Sequence, residues 1–292
     1  MREIRGKTAF VTGGAGGIGF ALGRRLLLEG ASVMLADVEA ATLETSVREL
    51  AEIGADVDGV VCDVSDPEDV QRAAATTETR FGPVQILCNN AGVSRAGAIE
   101  RVQESDWQWV VGVNLMGVVH GLQAFLPEMK NSGEECHIVN TASMAGIVGG
   151  ALSGPYAATK FGIVGVTEVL AAELAGTRIG VSVLCPSWVR TRMPENGRNR
   201  PERFGGPFDL ASDAENAERN ARYLAAAEGG LDPMEVAAMV LEAVRDNRLY
   251  VFTHPEQRAE VESRYARVAA GFDAADAWAR RRDSAAQNKD VA

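Results

Sequence analysis

Residues 8–19 read Thr8-Ala9-Phe10-Val11-Thr12-Gly13-Gly14-Ala15-Gly16-Gly17-Ile18-Gly19. The first residues are β-forming and mostly apolar, and the glycines after them open into a helix-length stretch, Ile18–Glu29. A strand that turns through glycine into a helix lets backbone amides approach an anion closely, and the helix N-terminus adds a favourable dipole. That combination suits the pyrophosphate of a dinucleotide, and it stands at the first turn of a doubly wound α/β fold. The next strand, Ser32–Ala36, runs into Asp37, at about the spacing where a carboxylate hydrogen-bonds an adenosine ribose. A turn-forming aspartate after a strand is the plainer alternative.

Outward from this unit the rhythm repeats. Short apolar runs at Thr8–Val11, Ser32–Ala36, Gly59–Cys62, Ile86–Cys88, Ile138–Asn140, Val181–Leu184 and Tyr250–Phe252 read as strands buried on both faces. Amphipathic stretches separate them: Ala40–Ile53, Pro67–Arg80, Trp107–Met129, Tyr156–Leu174 and Pro233–Asp246. Pro67, after Ser65-Asp66, is a good helix opener because proline in the first turn loses no hydrogen bond. The pattern predicts an α/β, doubly wound Rossmann-type fold, with a seven-stranded parallel sheet flanked by helices. With 292 residues, one core suffices to bury roughly three quarters of the unfolded surface.

We therefore expect a dinucleotide-binding and catalytic domain over 1–255 and a helical extension over 256–292. In the extension Val261, Tyr265, Val268 and Phe272 fall near a helical period, and a partner subunit could cover them. Within the main domain, 190–230 is rich in Arg, Asn, Glu, Gly and Pro with isolated aromatic residues. It is too long for an ordinary connection and reads as a substrate lid, with a surface excursion as the alternative.

The chain carries 29 Lys+Arg against 40 Asp+Glu, a net charge of −11, which argues against general affinity for nucleic acid or anionic membrane. Cys62, Cys88, Cys136 and Cys185 form no CxxC pair and read as reduced, buried thiols. The charged N-terminus leaves no room for a secretory signal before the first strand, and no segment is expected to reach the length of a membrane span. A cytoplasmic protein is the expectation. Asp37 also bears on the cofactor: at about 4 Å it would repel a 2′-phosphate by roughly 4 kcal/mol per unit charge at an effective dielectric near 20. Neither Gly16 nor Val38 supplies a cation to offset this, and Arg24 and Arg25 lie farther down the helix, so the reading is NAD.

Tyr156 and Lys160 stand four apart, which on a helix puts both side chains on one face. A cation beside a phenol favours the phenolate, so this pair is expected to bring the tyrosine pKa down from about 10 toward working pH. Ser143 follows the fifth strand. Singly, Ser143, Tyr156, Lys160 and Asn114 have plain readings as a turn residue, a core phenol with a wet tip, a surface lysine and a helix kink.

In order and spacing, Thr12-Gly13-x-x-x-Gly17-x-Gly19, Asp63-Val64, Asn89-Asn90-Ala91-Gly92, Asn114, Ser143 and Tyr156-x-x-x-Lys160 resemble the short-chain dehydrogenase/reductase family, in its common single-domain form. The likeness runs from Thr8 to about Phe252. It departs from the family pattern at Asn114-Leu115-Met116-Gly117, where only an apolar neighbour changes, and at Pro186-Ser187, where Pro-Gly is usual. The resemblance implies a catalytic tetrad. Tyr156 is the acid or base for the substrate oxygen and Ser143 hydrogen-bonds that oxygen. Lys160 holds the nicotinamide ribose and lowers the Tyr156 pKa, and Asn114 positions a water linking Lys160 to solvent.

The same resemblance implies a cofactor held by Gly13, Gly17, Ile18, Gly19 and Asp37, with Asp63 and Val64 at the adenine. It adds Asn90, Ala91, Gly92, Tyr156 and Lys160 beyond the fourth strand, and Pro186, Val189 and Thr191 near the nicotinamide. The reaction needs no metal, and His120, His137 and His254 lack a metal-ligand spacing. Family members usually form homodimers or homotetramers through helices matching Trp107–Met129 and Tyr156–Leu174.

By position, Ser94, Arg95, Met144, Trp188, Met193 and the lid aromatics Phe204, Phe208 and Tyr223 are expected near the substrate. The stretch from Met144 to Leu152 contains no charge. This favours a bulky hydrophobic secondary alcohol or its ketone over a sugar or phosphate ester. A weaker resemblance to bacterial aryl-ether Cα-dehydrogenases rests on Arg200–Gly205 and Asp246–Val251, and steroid, terpenoid and hydroxyacyl alcohols remain open. Two other classes compete. A non-catalytic dinucleotide sensor or scaffold has no need of the tetrad, and a sugar-nucleotide epimerase expects a Gly-x-x-Gly-x-x-Gly spacing that is absent here.

Overall fold

The structure of the protein, a computed structural model, describes residues 1–54, 56–209 and 217–289, with 284–289 in backbone only. Residues 210–216 of the expected lid and 290–292 of the expected extension lie outside the described residues. The chain divides into two compact units, Met1–Thr253 and His254–Ala292.

The first unit runs β1 (Thr8–Thr12), α1 (Gly17–Leu28), β2 (Ser32–Asp37), α2 (Ala40–Ala51), β3 (Val57–Val61), α3 (Pro67–Phe81) and β4 (Ile86–Asn89). It continues through α4 (Glu104–Val110), α5 (Gly117–Ser132), β5 (Cys136–Thr141), α6 (Gly154–Glu173), β6 (Ile179–Cys185), α7 (Ala217–Glu228), α8 (Pro233–Asp246) and β7 (Tyr250–Phe252). All seven strands pair in parallel, in the order β3-β2-β1-β4-β5-β6-β7. The fold is the expected doubly wound Rossmann-type one.

Period-two alternation in β1 sends Ala9 and Val11 into a core shared with α1, α2 and α8, and Phe10 into a second core under α3, α5 and α6. The Phe10 ring lies 4.6 Å from that of Phe125 on α5. Helix starts follow their sequence signals: Asp66 caps α3 by accepting the Glu68 amide hydrogen ahead of Pro67, and Asp232 does the same for α8 through Met234.

Two features differ from expectation. The helix expected over Trp107–Met129 spans Glu104–Ser132 and is broken by a π-turn at Val111–Met116. By length and composition alone this helix could cross a membrane, contrary to the expectation for the chain. Trp109, Val110, Val118, Phe125 and Met129 instead bury its apolar side within the α/β layers. The second difference is α7, a helix inside the stretch expected as an irregular lid.

The second unit holds a short 3-10 turn, Pro255–Gln257, and one long helix, α9 (Arg258–Lys289). Tyr265, Val268, Phe272 and Trp278 are exposed along it.

Candidate active site

The strand order reverses its direction of growth between β1 and β4, and ligands of such sheets bind in the crevice beyond the strand ends at that point. The glycine turn forms one lip of this crevice. Gly13 and Gly17 adopt left-handed φ values of 64° and 53°, which side chains resist. At Gly19 a Cβ would stand 2.0 Å from the Gly13 carbonyl oxygen, so the turn closes only with glycine there. By contrast, a Cβ on Gly16 would meet nothing within 4 Å. The turn is thus compressed on its protein side and open on the other, as close approach of a pyrophosphate requires.

The β4 end is stitched to this turn. The Thr12 hydroxyl accepts the backbone amide hydrogens of Asn90 (2.9 Å) and Ala91 (3.0 Å), and Asn90 Nδ2 donates back to the Thr12 carbonyl at 3.0 Å. Thr191 packs on Gly17, where a Cβ would come within 2.9 Å of its methyl group. Val189 bridges to Leu231, and Pro186 offers its carbonyl to the Met144 amide at 2.9 Å. Ile18 is partly buried against the core on the α1 side.

Asp37 accepts one backbone N–H on each carboxylate oxygen, from Ala15 and from Glu39, both at 3.0 Å. Burial pushes its carboxyl above the usual range, and these two bonds oppose the push. Each oxygen keeps a further lone pair for a ribose hydroxyl. Farther along the rim, Asp63 accepts the Ser65 amide hydrogen at 2.9 Å, and the Val64 carbonyl meets His120 Nδ1 at 2.9 Å.

On the other side of the crevice, α6 carries Tyr156 and Lys160. Ser143 stands beside the Tyr156 phenol; its hydroxyl lies 3.3 Å from the Pro186 carbonyl and accepts from the Ala145 amide at 3.1 Å. Lys160 is 2% exposed and donates to the Thr141 carbonyl at 2.8 Å, with its Nζ 5.5 Å from the centre of the Tyr156 ring. Burial pushes Tyr156 up to about 12 and Lys160 down to about 8. The expected lowering of Tyr156 by Lys160 is therefore not what the protein's own groups produce. Desolvation dominates, Ser143 opposes it, and the ammonium is anchored on a carbonyl below the ring face rather than at the phenol oxygen.

Asn114 sits in the π-turn, fully buried. Its side chain accepts the Val93 amide hydrogen (2.8 Å) and donates to the Val93 carbonyl (2.9 Å) and the Thr159 hydroxyl (3.1 Å). The kink and the asparagine are thus one feature, since π-turns collect at functional sites and this one is pinned to the β4 loop. A Cβ on Gly92 would fall 3.4 Å from Asn114 Oδ1 and 3.5 Å from Lys160 Nζ, so Gly92 occupies the gap between them.

The lid is held to the body by charge. Arg198 makes a bidentate pair with Glu39, and Asn199 donates to the same carboxylate at 2.8 Å. Arg203 reaches Asp63 at 3.3 Å, and Arg200 pairs with the buried Asp106 at 2.8 Å, which Arg95 also approaches at 3.3 Å. Asn196 ties Ser94 to the lid, accepting its amide hydrogen at 3.0 Å and donating to the Met193 carbonyl at 2.8 Å.

Of the residues expected near the substrate, Tyr223 lies near Tyr156. Its ring meets Trp188 edge-on at 5.5 Å, its phenol lies near Ser94, and burial raises its pKa. Phe204 and Phe208 instead pack with Val93, Trp109 and Val110. Met144 is buried, and Leu152 adopts an uncommon φ of 65° at an exposed lip. Sequence reasoning missed Glu39, Asn196 and Arg198, because their partners lie about a hundred or more residues away and no local pattern marks them.

Residues 7–202 match the model of the family described as short chain dehydrogenase. A Cα-dehydrogenase of a Sphingobium species is 36% identical over 266 residues, covering 91% of this chain and 86% of that protein. A 1-deoxy-11-beta-hydroxypentalenate dehydrogenase of Streptomyces avermitilis is 36% identical over 265 residues, covering 90% of each. Among solved structures, a short-chain dehydrogenase/reductase from Burkholderia phymatum in complex with NAD aligns with a TM-score of 0.88 and 37% identity, over 93% of this chain and 97% of that one. The chain belongs to the short-chain dehydrogenase/reductase family and is an oxidoreductase of that family.

Proposed function

We propose that this protein is an NAD-dependent oxidoreductase that interconverts a secondary alcohol and a ketone by hydride transfer, on a bulky hydrophobic or aryl substrate. The observation that carries this reading is the buried Lys160 held with its Nζ 5.5 Å from the centre of the Tyr156 ring, with Ser143 beside that phenol, at the switch point of the sheet. The solved Burkholderia relative with bound NAD supports the cofactor, as do the open face of the glycine turn and the carboxylate of Asp37. The named activities of the two enzyme relatives, a Cα-dehydrogenase and a pentalenate-type hydroxyl dehydrogenase, support a secondary alcohol on a large carbon skeleton.

When bound, NAD supplies the acceptor for the hydride that leaves the carbinol carbon. The protein's residues handle the accompanying proton and the geometry. Tyr156 takes the hydroxyl proton in oxidation and returns it in reduction, a step worth typically ~10²–10⁴-fold. Ser143 hydrogen-bonds the same oxygen and fixes it against the phenol. Lys160 places a positive charge under the Tyr156 ring, which favours the phenolate whenever that forms, and it would hold the nicotinamide ribose. Asn114 keeps the β4 loop, and with it Gly92, in register with Lys160. Gly13, Gly17, Ile18, Gly19 and Asp37 would seat the pyrophosphate and ribose, and Asp63 and Val64 the adenine. Asn90, Ala91, Pro186, Val189 and Thr191 would line the nicotinamide half.

Ser94, Met144, Trp188 and Met193 are the proposed substrate contacts, and Phe204 acts behind them by packing. The half-exposed Trp188 ring beside Tyr223 supports an aromatic or bulky apolar substrate. Four free, buried cysteines support a cytoplasmic location, and exposed Val169 on α6 and Met116 in the π-turn support a homodimer or homotetramer packed through these helices. The test is NADH formation against a panel of aryl, steroid, terpenoid and aliphatic secondary alcohols. Turnover of aryl or other bulky alcohols is expected, and tight NAD binding with no turnover on any member would favour a sensor.

A further inference from the structure

The Asp37 carboxylate that reads the ribose is followed two residues later by Glu39, and the two are physically joined. The Glu39 amide donates to Asp37 Oδ1 at 3.0 Å. The Glu39 side chain is held by three donors from the lid: both Arg198 nitrogens of a bidentate pair, and Asn199 Nδ2 at 2.8 Å. These contacts, with the charges of Arg198 and Arg192, hold its carboxyl below the ordinary glutamate range despite partial burial. Arg192 is itself paired with Glu195 at 2.8 Å. The lid thus delivers a guanidinium to the adenosine rim of the crevice, a cation that the sequence near Asp37 does not supply.

We infer that Glu39 is a cofactor-selectivity residue that acts by keeping the lid's Arg198 occupied in a neutral pair beside Asp37. A planar guanidinium free at this rim is a bidentate phosphate binder, and it would offset the repulsion between Asp37 and a 2′-phosphate. With Glu39 in place, Arg198, Glu39 and Asp37 sum to one negative charge, and the rim disfavours the phosphorylated ribose. The selection therefore rests on two acids rather than one, with the second working through a residue 159 positions away. This inference rests on the proposed NAD reading and deepens it.

The test uses fragments that occupy only the adenosine half, ADP and adenosine 2′,5′-bisphosphate, titrated calorimetrically into the full protein and three variants. The unmodified protein is expected to prefer ADP. Glu39→Ala is expected to shift the ratio toward the bisphosphate by about tenfold or more, consistent with exposing one unit charge at close range. Arg198→Ala is expected to leave the ADP preference in place. The double variant Glu39→Ala/Arg198→Ala separates causes: loss of the gain shows that Arg198 reads the phosphate. Retention of the gain shows that only the deleted acid mattered, and overturns the inference. A ratio unchanged in a folded Glu39→Ala protein, checked by thermal melting, also overturns it, and Glu39→Gln gives the same reading with the side chain's volume kept. An unmodified protein that already prefers the bisphosphate would instead overturn the NAD reading itself.

Discussion

The crevice floor and the lid over it are built by different physics. On the floor, the glycine turn, the β4 loop and α6 are tied by hydrogen bonds between side chains and backbone groups and by steric closure, such as the Thr12 hydroxyl to the Asn90 and Ala91 amides, Lys160 to the Thr141 carbonyl, and Gly19 against Gly13. The described lid residues, 190–209 and 217–228, are held to the body largely by side chains: arginines on Glu39, Asp63 and Asp106, and aromatic rings on Trp109 and Trp188. Hydrogen bonds onto backbone groups are short-range and barely sensitive to salt, whereas the partly exposed pairs on Glu39 and Asp63 weaken as ionic strength rises, the buried pair on Asp106 much less. The floor is suited to fixing reacting atoms, and the lid to being opened and closed.

The largest expected effect falls on the floor. Tyr156→Phe removes the proton donor and is expected to lower kcat by ~10²–10⁴-fold, while NAD affinity, read by calorimetry, stays within a few-fold. Equal losses in both would mean that the phenol is a structural residue of the crevice. For the lid, Asp106→Asn leaves Arg95 and Arg200 without their carboxylate in a buried place. Stability is expected to fall by up to about 3 kcal/mol, seen in chemical denaturation, because a stranded buried charge is costly. An unchanged midpoint would mean that the lid is held mainly by Phe208 and its ring contacts.

The pH profile sharpens the contrast by isolating the floor. Tyr156, pushed up to about 12, stays protonated through the neutral range, so its acid form is fully present for ketone reduction and its base form is scarce for alcohol oxidation. Between about pH 6 and 8 the kcat/KM for oxidation is expected to rise by up to tenfold per unit while that for reduction stays level. Above the Lys160 value of about 8 the ammonium is lost, and the oxidation limb is expected to flatten. A level oxidation limb would place proton transfer elsewhere. The smallest effect is at the lid's contact with the site: Tyr223→Phe, which removes the hydroxyl near Ser94, is expected to raise KM by about two- to tenfold with kcat little changed.

The same contrast explains what could be read from the sequence. The seven strands, the glycine turn, Asp37 and the Tyr156–Lys160 pair follow from period, spacing and turn chemistry, all local in the chain. Tyr250–Phe252 and Pro233–Asp246 match their elements residue for residue. A helix kink at Asn114 was legible as one reading of the sequence, but its form as a π-turn was not, because its cause is the Val93 backbone that the asparagine side chain must reach. Nor was the rise in the Tyr156 pKa, since spacing announces the nearby cation but not the desolvation that outweighs it. The lid was legible only as an irregular stretch. Phe204, Phe208 and Tyr223 look alike in composition, yet two pack against Trp109's cluster and one packs edge-on against Trp188.

The central claim is that this crevice moves a hydride between a secondary alcohol and NAD with Tyr156 moving the proton. The most direct test is a single assay of NADH formation from bulky aryl secondary alcohols by the unmodified protein and by Tyr156→Phe, side by side. The account predicts steady NADH formation by the first and its near disappearance in the second. Comparable formation by both, or none by the unmodified protein with any alcohol while NAD binds tightly, would contradict it.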